Sequence, residues 1–362
     1  MSRPALHEFE QAARARLSSH VWDFIAGGSG TESMISANRH TLDRIRLRPR
    51  VLRDVSRVDT GTTLLGDQVR APVGIAPMAY HQLVHPEGEV AAARAAGKAG
   101  VPLTVSMFAS RTLADIAAAA TGPLWLQLYW LRRRDALLDL VRRAEEAEFR
   151  ALVLTVDAPR MARRPKDVRN GFAIPDGIRA VNIDETLMST SYGGQAGESA
   201  VARHAREQFD ASIGWSDLAW LRERTSLPLV LKGILTAEDA LLAADHGVHA
   251  VIVSNHGGRQ LDFAQPAFAA LAEVADALDG RIQVFVDGSV RYGTDVVKAL
   301  CLGADAALLG RPVLWGLAES GDEGASLVLG GLVEEVEEAM ALMGASGVGS
   351  LSRAGVVCPR AE

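Results

Sequence analysis

Leu229-Val230-Leu231-Lys232, Val251-Ile252-Val253-Ser254, Val284-Phe285-Val286 and Ala306-Ala307-Leu308-Leu309 are short apolar runs, each ending against polar or small residues. Between them lie Ala237–His246, Ala267–Leu278 and Gly293–Leu302, whose apolar residues recur with a helical period. The same pattern extends toward the N-terminus. Val73–Pro77, Leu103–Ser106, Trp125–Leu128 and Leu152–Val156 read as strands, separated by helix-like Glu89–Ala99, Thr112–Ala120 and Asp135–Glu148. A continuous apolar run, without polar alternation, marks a strand buried on both faces, as in parallel sheets flanked by helices. Eight such units in a row favour a closed α/β (β/α)8 TIM barrel over an open doubly wound sheet.

Two segments fall outside the repeat. Residues 1–66 form an N-terminal extension that reads as helical from Leu6 to Ala26 and as irregular after Gly27-Gly28-Ser29-Gly30. Residues 176–212 follow the fourth strand and are polar and rich in Gly and Ser. A long loop inside a compact domain is usually functional, and its position on the catalytic side of a barrel suggests a lid. No linker divides the chain, so residues 1–362 are expected to form a single domain.

Composition narrows the function classes. The net charge of -6 argues against a nucleic-acid footprint. Cys301 and Cys358 are the only cysteines. They cannot build a disulfide framework, and their spacing matches no metal site. Cys301 reads as a buried helix thiol. No signal-peptide core and no membrane-spanning apolar run is present, so a cytoplasmic protein is the expectation.

Barrel enzymes carry their chemistry at the C-terminal ends of the strands. In chain order these ends hold Pro77-Met78-Ala79-Tyr80, Ser106-Met107-Phe108, Gln127 with Tyr129, Thr155 and Asp157 with Arg163 and Arg164, Lys232-Gly233, Ser254 to Arg259, Asp287 to Arg291, and Gly310-Arg311. One such residue would be an ordinary solvated rim group. Together they make a cationic mouth in an acidic protein, suited to an anionic substrate and a phosphate-bearing ligand. Strands seven and eight are the usual phosphate site of this fold. There Gly288 admits a close backbone approach, and Arg291 and Arg311 offer permanent bidentate charge. His256 and Asp157, from strands six and four, can converge as a base with its orienting carboxylate.

Ser254-Asn255-His256-Gly257-Gly258-Arg259-Gln260-Leu261-Asp262 resembles the active-site motif of the FMN-dependent 2-hydroxy acid oxidases and dehydrogenases, the family of glycolate oxidase, lactate oxidase and mandelate dehydrogenase. The resemblance covers nearly the whole chain, including Gln127-Leu128-Tyr129, Thr155-Val156-Asp157, Lys232-Gly233 and Gly310-Arg311-Pro312. It implies FMN as cofactor, a 2-hydroxy acid as substrate and, as is usual in the family, a homotetramer. It implies that His256 takes the hydroxyl proton with Asp157 in support, that Arg164 and Arg259 grip the carboxylate, and that Tyr129 bonds the substrate oxygen. Pro77, Met78 and Ala79 would pack against the flavin ring, which Ser106, Gln127, Thr155 and Lys232 would hydrogen-bond. Asp287, Gly288, Ser289, Arg291, Gly310 and Arg311 would hold the ribityl phosphate.

Some positions depart from the family pattern. Phe24 stands where a Tyr is common, Phe108 where a Trp is common, and Ser289 where a Gly is common. With Met78 and Tyr80, the two phenylalanines point to an aryl substrate, mandelate or 4-hydroxymandelate. The resemblance is strongest to members that oxidise 4-hydroxymandelate in peptide-antibiotic pathways. Ala79, where some dehydrogenases have Gly, leans toward reoxidation by O2. The alternatives are lactate or glycolate oxidation and, in another class, an FMN-barrel isomerase, which would need neither Arg164 nor the His256–Arg259 pair.

Overall fold

The computed structural model describes residues 5–183 and 205–358. The expected lid segment therefore lies largely outside the described residues. Eight parallel strands close into a barrel in chain order: β1 (Val73–Ile75), β2 (Leu103–Ser106), β3 (Leu124–Leu128), β4 (Ala151–Thr155), β5 (Leu229–Ile234), β6 (Ala250–Val253), β7 (Gln283–Val286) and β8 (Ala306–Leu309), which pairs back with β1. The strands differ from the sequence expectation only at their ends.

Alternate strand residues divide between two cores, as the two-residue period requires. Trp125, Val153, Val230, Ile252, Phe285 and Leu308 belong to one buried cluster, with Trp125 and Phe285 stacked at 5.5 Å. The intervening residues, such as Leu126, Leu152, Leu231 and Val251, pack in the larger cluster with the surrounding helices. A hairpin, Thr62–Leu64 with Asp67–Val69, adds Leu64 and Val69 to the inner cluster. Leu65 donates to the Gln283 amide oxygen and Asp67 pairs with Arg150 at 3.1 Å, which fixes the hairpin at the N-terminal end of the barrel.

The helices follow from their caps and stripes. Thr112 and Thr236 accept hydrogen bonds from the amides of Asp115 and Asp239, starting Leu113–Ala119 and Ala237–Asp245. Two expectations are corrected. Leu6–Ala26 is two helices, α1 (Leu6–Arg16) and α2 (Ser19–Ala26), because Ser18 leaves the helical conformation to cap Val21. The chain after Gly30 is not irregular: Ser33–Arg44 forms α3, burying Met34, Asn38 and Leu42, spaced four residues apart. After β8 a long helical run, Arg311–Met343, packs on α1 and Glu89–Ala99, broken at Ser320-Gly321, where Gly321 has φ +64°. A Cβ at Gly321 would lie 2.8 Å from the His85 ring, so the break is also a close contact.

Candidate active site

The residues after β6 turn sharply. His256 takes a left-handed conformation, φ +59°, uncommon for a side chain of its size. One hydroxyl holds this turn: Ser254 Oγ accepts from the His256 amide at 3.0 Å and from Lys232 Nζ at 2.8 Å, and donates to Asp287 at 2.6 Å. The turn brings His256 Nδ1 to 2.9 Å from Asp157 Oδ1. With Nδ1 engaged, Nε2 is the nitrogen left for the cavity, which His256 lines together with Tyr129, Arg164, Arg259 and Phe24. Burial pushes the Asp157 carboxyl up, but His256 and then Lys232 outweigh it, and it stays below its ordinary range. An ionised Asp157 accepting from Nδ1–H fixes the tautomer with a bare Nε2 lone pair.

Strand β5 delivers both Lys232 and the space for Asp157. Its register with β6 shifts at Gly233, whose φ is +111°. A Cβ there would fall 2.5 Å from the Asp157 Cβ. Lys232 Nζ lies 2.9 Å from Asp287. Burial alone would lower this ammonium, yet Asp287 and Asp157 raise it above its ordinary value.

Among the described residues, the site's arginines mostly donate to backbone carbonyls rather than to carboxylates. Arg259 donates to the carbonyls of Gly27 (2.7 Å) and Ile25 (3.3 Å), and Arg311 donates to Ile25, Gly27 and Gly257. Arg164 is 3.9 Å from Asp167, and its buried Nε has no hydrogen-bond partner among the described residues. Both Arg164 and Arg259 sit over the Phe24 ring, at 5.9 and 5.5 Å. Burial and then mutual repulsion, with Arg164 and Arg311 as neighbours, push Arg259 well down. An anion placed among these guanidinia relieves that repulsion. Burial, then Asp157, pushes the Tyr129 phenol up, so it is a donor at neutral pH.

A second row of polar groups crosses the strand ends. Ser106 pairs with Gln127 in the β2–β3 register, and Thr155 with Lys232 in β4–β5. Ser106 Oγ donates to Gln127 Oε1 at 3.1 Å, and Gln127 Nε2 to Thr155 Oγ1 at 3.0 Å. This leaves the Thr155 hydroxyl proton and one Gln127 amide proton to donate. Pro77, Met78 and Ala79 line the same cavity. At its far end, beyond β7 and β8, lie Gly288, Ser289, Arg291 and Gly310. Asp295 is occupied by Arg39 (2.7 Å) and by the amides of Arg291 and Tyr292. Among the described residues the Arg291 guanidinium bonds only its neighbour's carbonyl (2.9 Å); it sits 4.8 Å from the Trp315 ring centre and is pushed down to about 10 by burial. It is a buried cation lining the cavity.

The expected phosphate residue Asp287 has other partners. The Asp287 carboxylate is spent on Lys232 and Ser254, as electrostatics dictates, since a carboxylate repels a phosphate. The Arg311 side chain donates to the three carbonyls named above and lines the same cavity as Gly288, Arg291 and Gly310. Ser289 sits at φ +67°, a conformation glycine adopts without strain. We expect Ser289→Val to cost more than about 1 kcal/mol in urea unfolding, whereas Ser289→Gly holds stability or raises it slightly. A valine variant as stable as the parent would contradict this strain.

Two aromatic residues are part of the site that the strand-end rule does not reach. Phe172 stacks on Phe24 at 4.3 Å and 9°, and Phe209 on Tyr129 at 4.5 Å and 21°. Both follow β4 in the segment between β4 and β5, where no period marks them. Ser254 was visible in the motif, but its three hydrogen bonds emerge only from the geometry.

A closed parallel barrel with a histidine–carboxylate pair and buried arginines at its mouth is a site for an anionic substrate. The chain belongs to the FMN-dependent dehydrogenase family, whose profile matches residues 13–358. It is 48% identical to 4-hydroxymandelate oxidase of Amycolatopsis orientalis over 98% of each chain, and 42% identical to glycolate oxidase 3 of Arabidopsis thaliana over 96% of this chain and 94% of that one. A solved structure of mandelate oxidase with (S)-4-hydroxymandelic acid matches with TM-score 0.93 and 47% identity, covering 96% of this chain and 97% of that one. FMN is the family's cofactor, and the residues fit it: Arg291 bonds only a carbonyl among the described residues, and Gln127, Thr155 and Lys232 form a buried row of donors along the cavity.

Proposed function

We propose that the protein oxidises aryl (S)-2-hydroxy acids, mandelate or 4-hydroxymandelate, to the 2-oxo acids, with O2 reduced to H2O2. The observation that carries the reading is the His256–Asp157 pair at 2.9 Å, in one cavity with Arg164, Arg259 and Tyr129. Arg164 and Arg259 receive the substrate carboxylate, whose charge answers their mutual repulsion. The Tyr129 hydroxyl donates to a substrate oxygen. His256 Nε2 then takes the hydroxyl proton as the C–H bond is broken, and Asp157 stabilises the imidazolium that forms. FMN, when bound, supplies the two-electron acceptor, which O2 reoxidises. Lys232, kept cationic by Asp287 and Asp157, stabilises negative charge along the cofactor row.

The aryl preference is supported by the Phe24–Phe172 stack, by Phe108 beside Tyr80 and Tyr129, and by the 48% identity to a 4-hydroxymandelate oxidase. Steady-state kcat/KM is expected to favour (S)-mandelate over L-lactate by at least about tenfold, the size a lost apolar pocket contact gives. A preference for lactate or glycolate would sink the aryl reading and leave the small-acid alternative.

A further inference from the structure

From the chain that returns after residue 204 we infer that Phe209 is a positioning residue for the Tyr129 hydroxyl, acting through a strap that ties residues 208–212 to the end of β3. This rests on the role given to Tyr129 above.

The strap is stitched to the residues that follow Tyr129. The Arg132 amide donates to the Gln208 carbonyl and the Asp210 amide to the Trp130 carbonyl, both at 2.8 Å, with Leu131 and Phe209 bridged antiparallel between them. Arg134 clamps the same pair of segments. It donates to Asp210 at 2.6 Å and stacks on Trp130 at 4.3 Å. Asp210 is held down to about 2 by the Ser212 hydroxyl and then by Arg134, so the clamp is ionised at any working pH.

Tyr129 needs such a device. Its hydroxyl has no hydrogen-bond partner among the described residues, which leaves it for the substrate but leaves the ring without a polar tether there. Among the described residues the ring is oriented by packing, with Phe209 stacked at 4.5 Å and Phe108 tilted at 5.8 Å. Tyrosine χ2 is a soft torsion, and an aromatic stack is what narrows it. Phe209 is 3% exposed and does not itself line the cavity; it stands behind Tyr129, with Phe108 tilted at 6.2 Å beside it.

The test is a double-mutant cycle in the flavin-loaded protein. Phe209→Ala is expected to lower kcat on (S)-mandelate by about 10–10²-fold, the effect of a misplaced catalytic group, with KM within about threefold. In a Tyr129→Phe background the same change should cost less than about twofold, because the hydroxyl it positions is gone. Phe209→Tyr, which keeps a ring, should restore kcat to within about threefold of the parent. An equal loss in both backgrounds would overturn the inference and make Phe209 merely structural. A second readout does not depend on turnover. The chain has four tyrosines, so 3-fluorotyrosine labelling gives few 19F resonances, and Tyr129→Phe assigns one of them. Phe209→Leu, the milder variant should the alanine not fold, is expected to shift or broaden that resonance; an unmoved resonance would overturn the inference. If the parent oxidises no 2-hydroxy acid, the proposed function fails, and the resonance alone still decides whether Phe209 orients Tyr129.

Discussion

His256→Asn is expected to keep FMN bound and to slow substrate oxidation by about 10²–10⁴-fold or more, the usual loss when a positioned base is removed. The substitution isolates the chemistry. Asparagine tolerates the left-handed backbone that His256 adopts at φ +59°, so the turn built on Ser254 should survive. Its amide can bond Asp157, so the buried carboxylate keeps a partner. What it lacks is a nitrogen that takes a proton. Stopped-flow mixing with (S)-mandelate reads the step directly. Near-parental rates would remove His256 from the mechanism.

Lys232→Met has the largest expected effect on the fold. Lys232 and Asp287 are 4% and 6% exposed and 2.9 Å apart, with Ser254 as their shared neighbour. Removing the ammonium strands a carboxylate in the barrel mouth, a change that costs about 3–5 kcal/mol for a buried pair. Lys232→Met/Asp287→Asn should recover part of that loss, because no uncompensated charge remains. The pH dependence follows the same pair. The Lys232 ammonium is raised above its ordinary value in the fold, so its contribution is complete below the unfolded value of about 10.4 and is lost as pH rises through the folded one. The methionine variant should lose this alkaline dependence along with most of its affinity for FMN. A single variant as stable as the parent in urea would show that the pair adds nothing.

The barrel was legible because burial on both faces writes itself into the chain. Val251-Ile252-Val253 is apolar throughout since its residues alternate between the inner cluster and the helical layer. The ends were less legible, as at β1, which stops at Ile75 before Pro77. The break between α1 and α2 depends on one capping hydroxyl inside an apolar stretch, and α3 shows only three widely spaced buried residues. At the site, the strand-end rule located His256, Asp157 and the arginines, since it needs only position along a strand. It could not say which group faces which. Asp287 sits where a phosphate ligand should sit, yet its carboxylate turns to Lys232 and Ser254. Phe209 was hidden for a related reason: its partner Tyr129 is far away in sequence and the contact is a single ring face.

The most direct test of the central claim is the flavin absorbance of the FMN-loaded protein, mixed without oxygen with (S)-mandelate and then opened to air. The account predicts bleaching of the yellow colour by the hydroxy acid, return of the colour in air, and one benzoylformate and one H2O2 per substrate consumed. Flavin that stays oxidised with (S)-mandelate and with lactate and glycolate alike would contradict it.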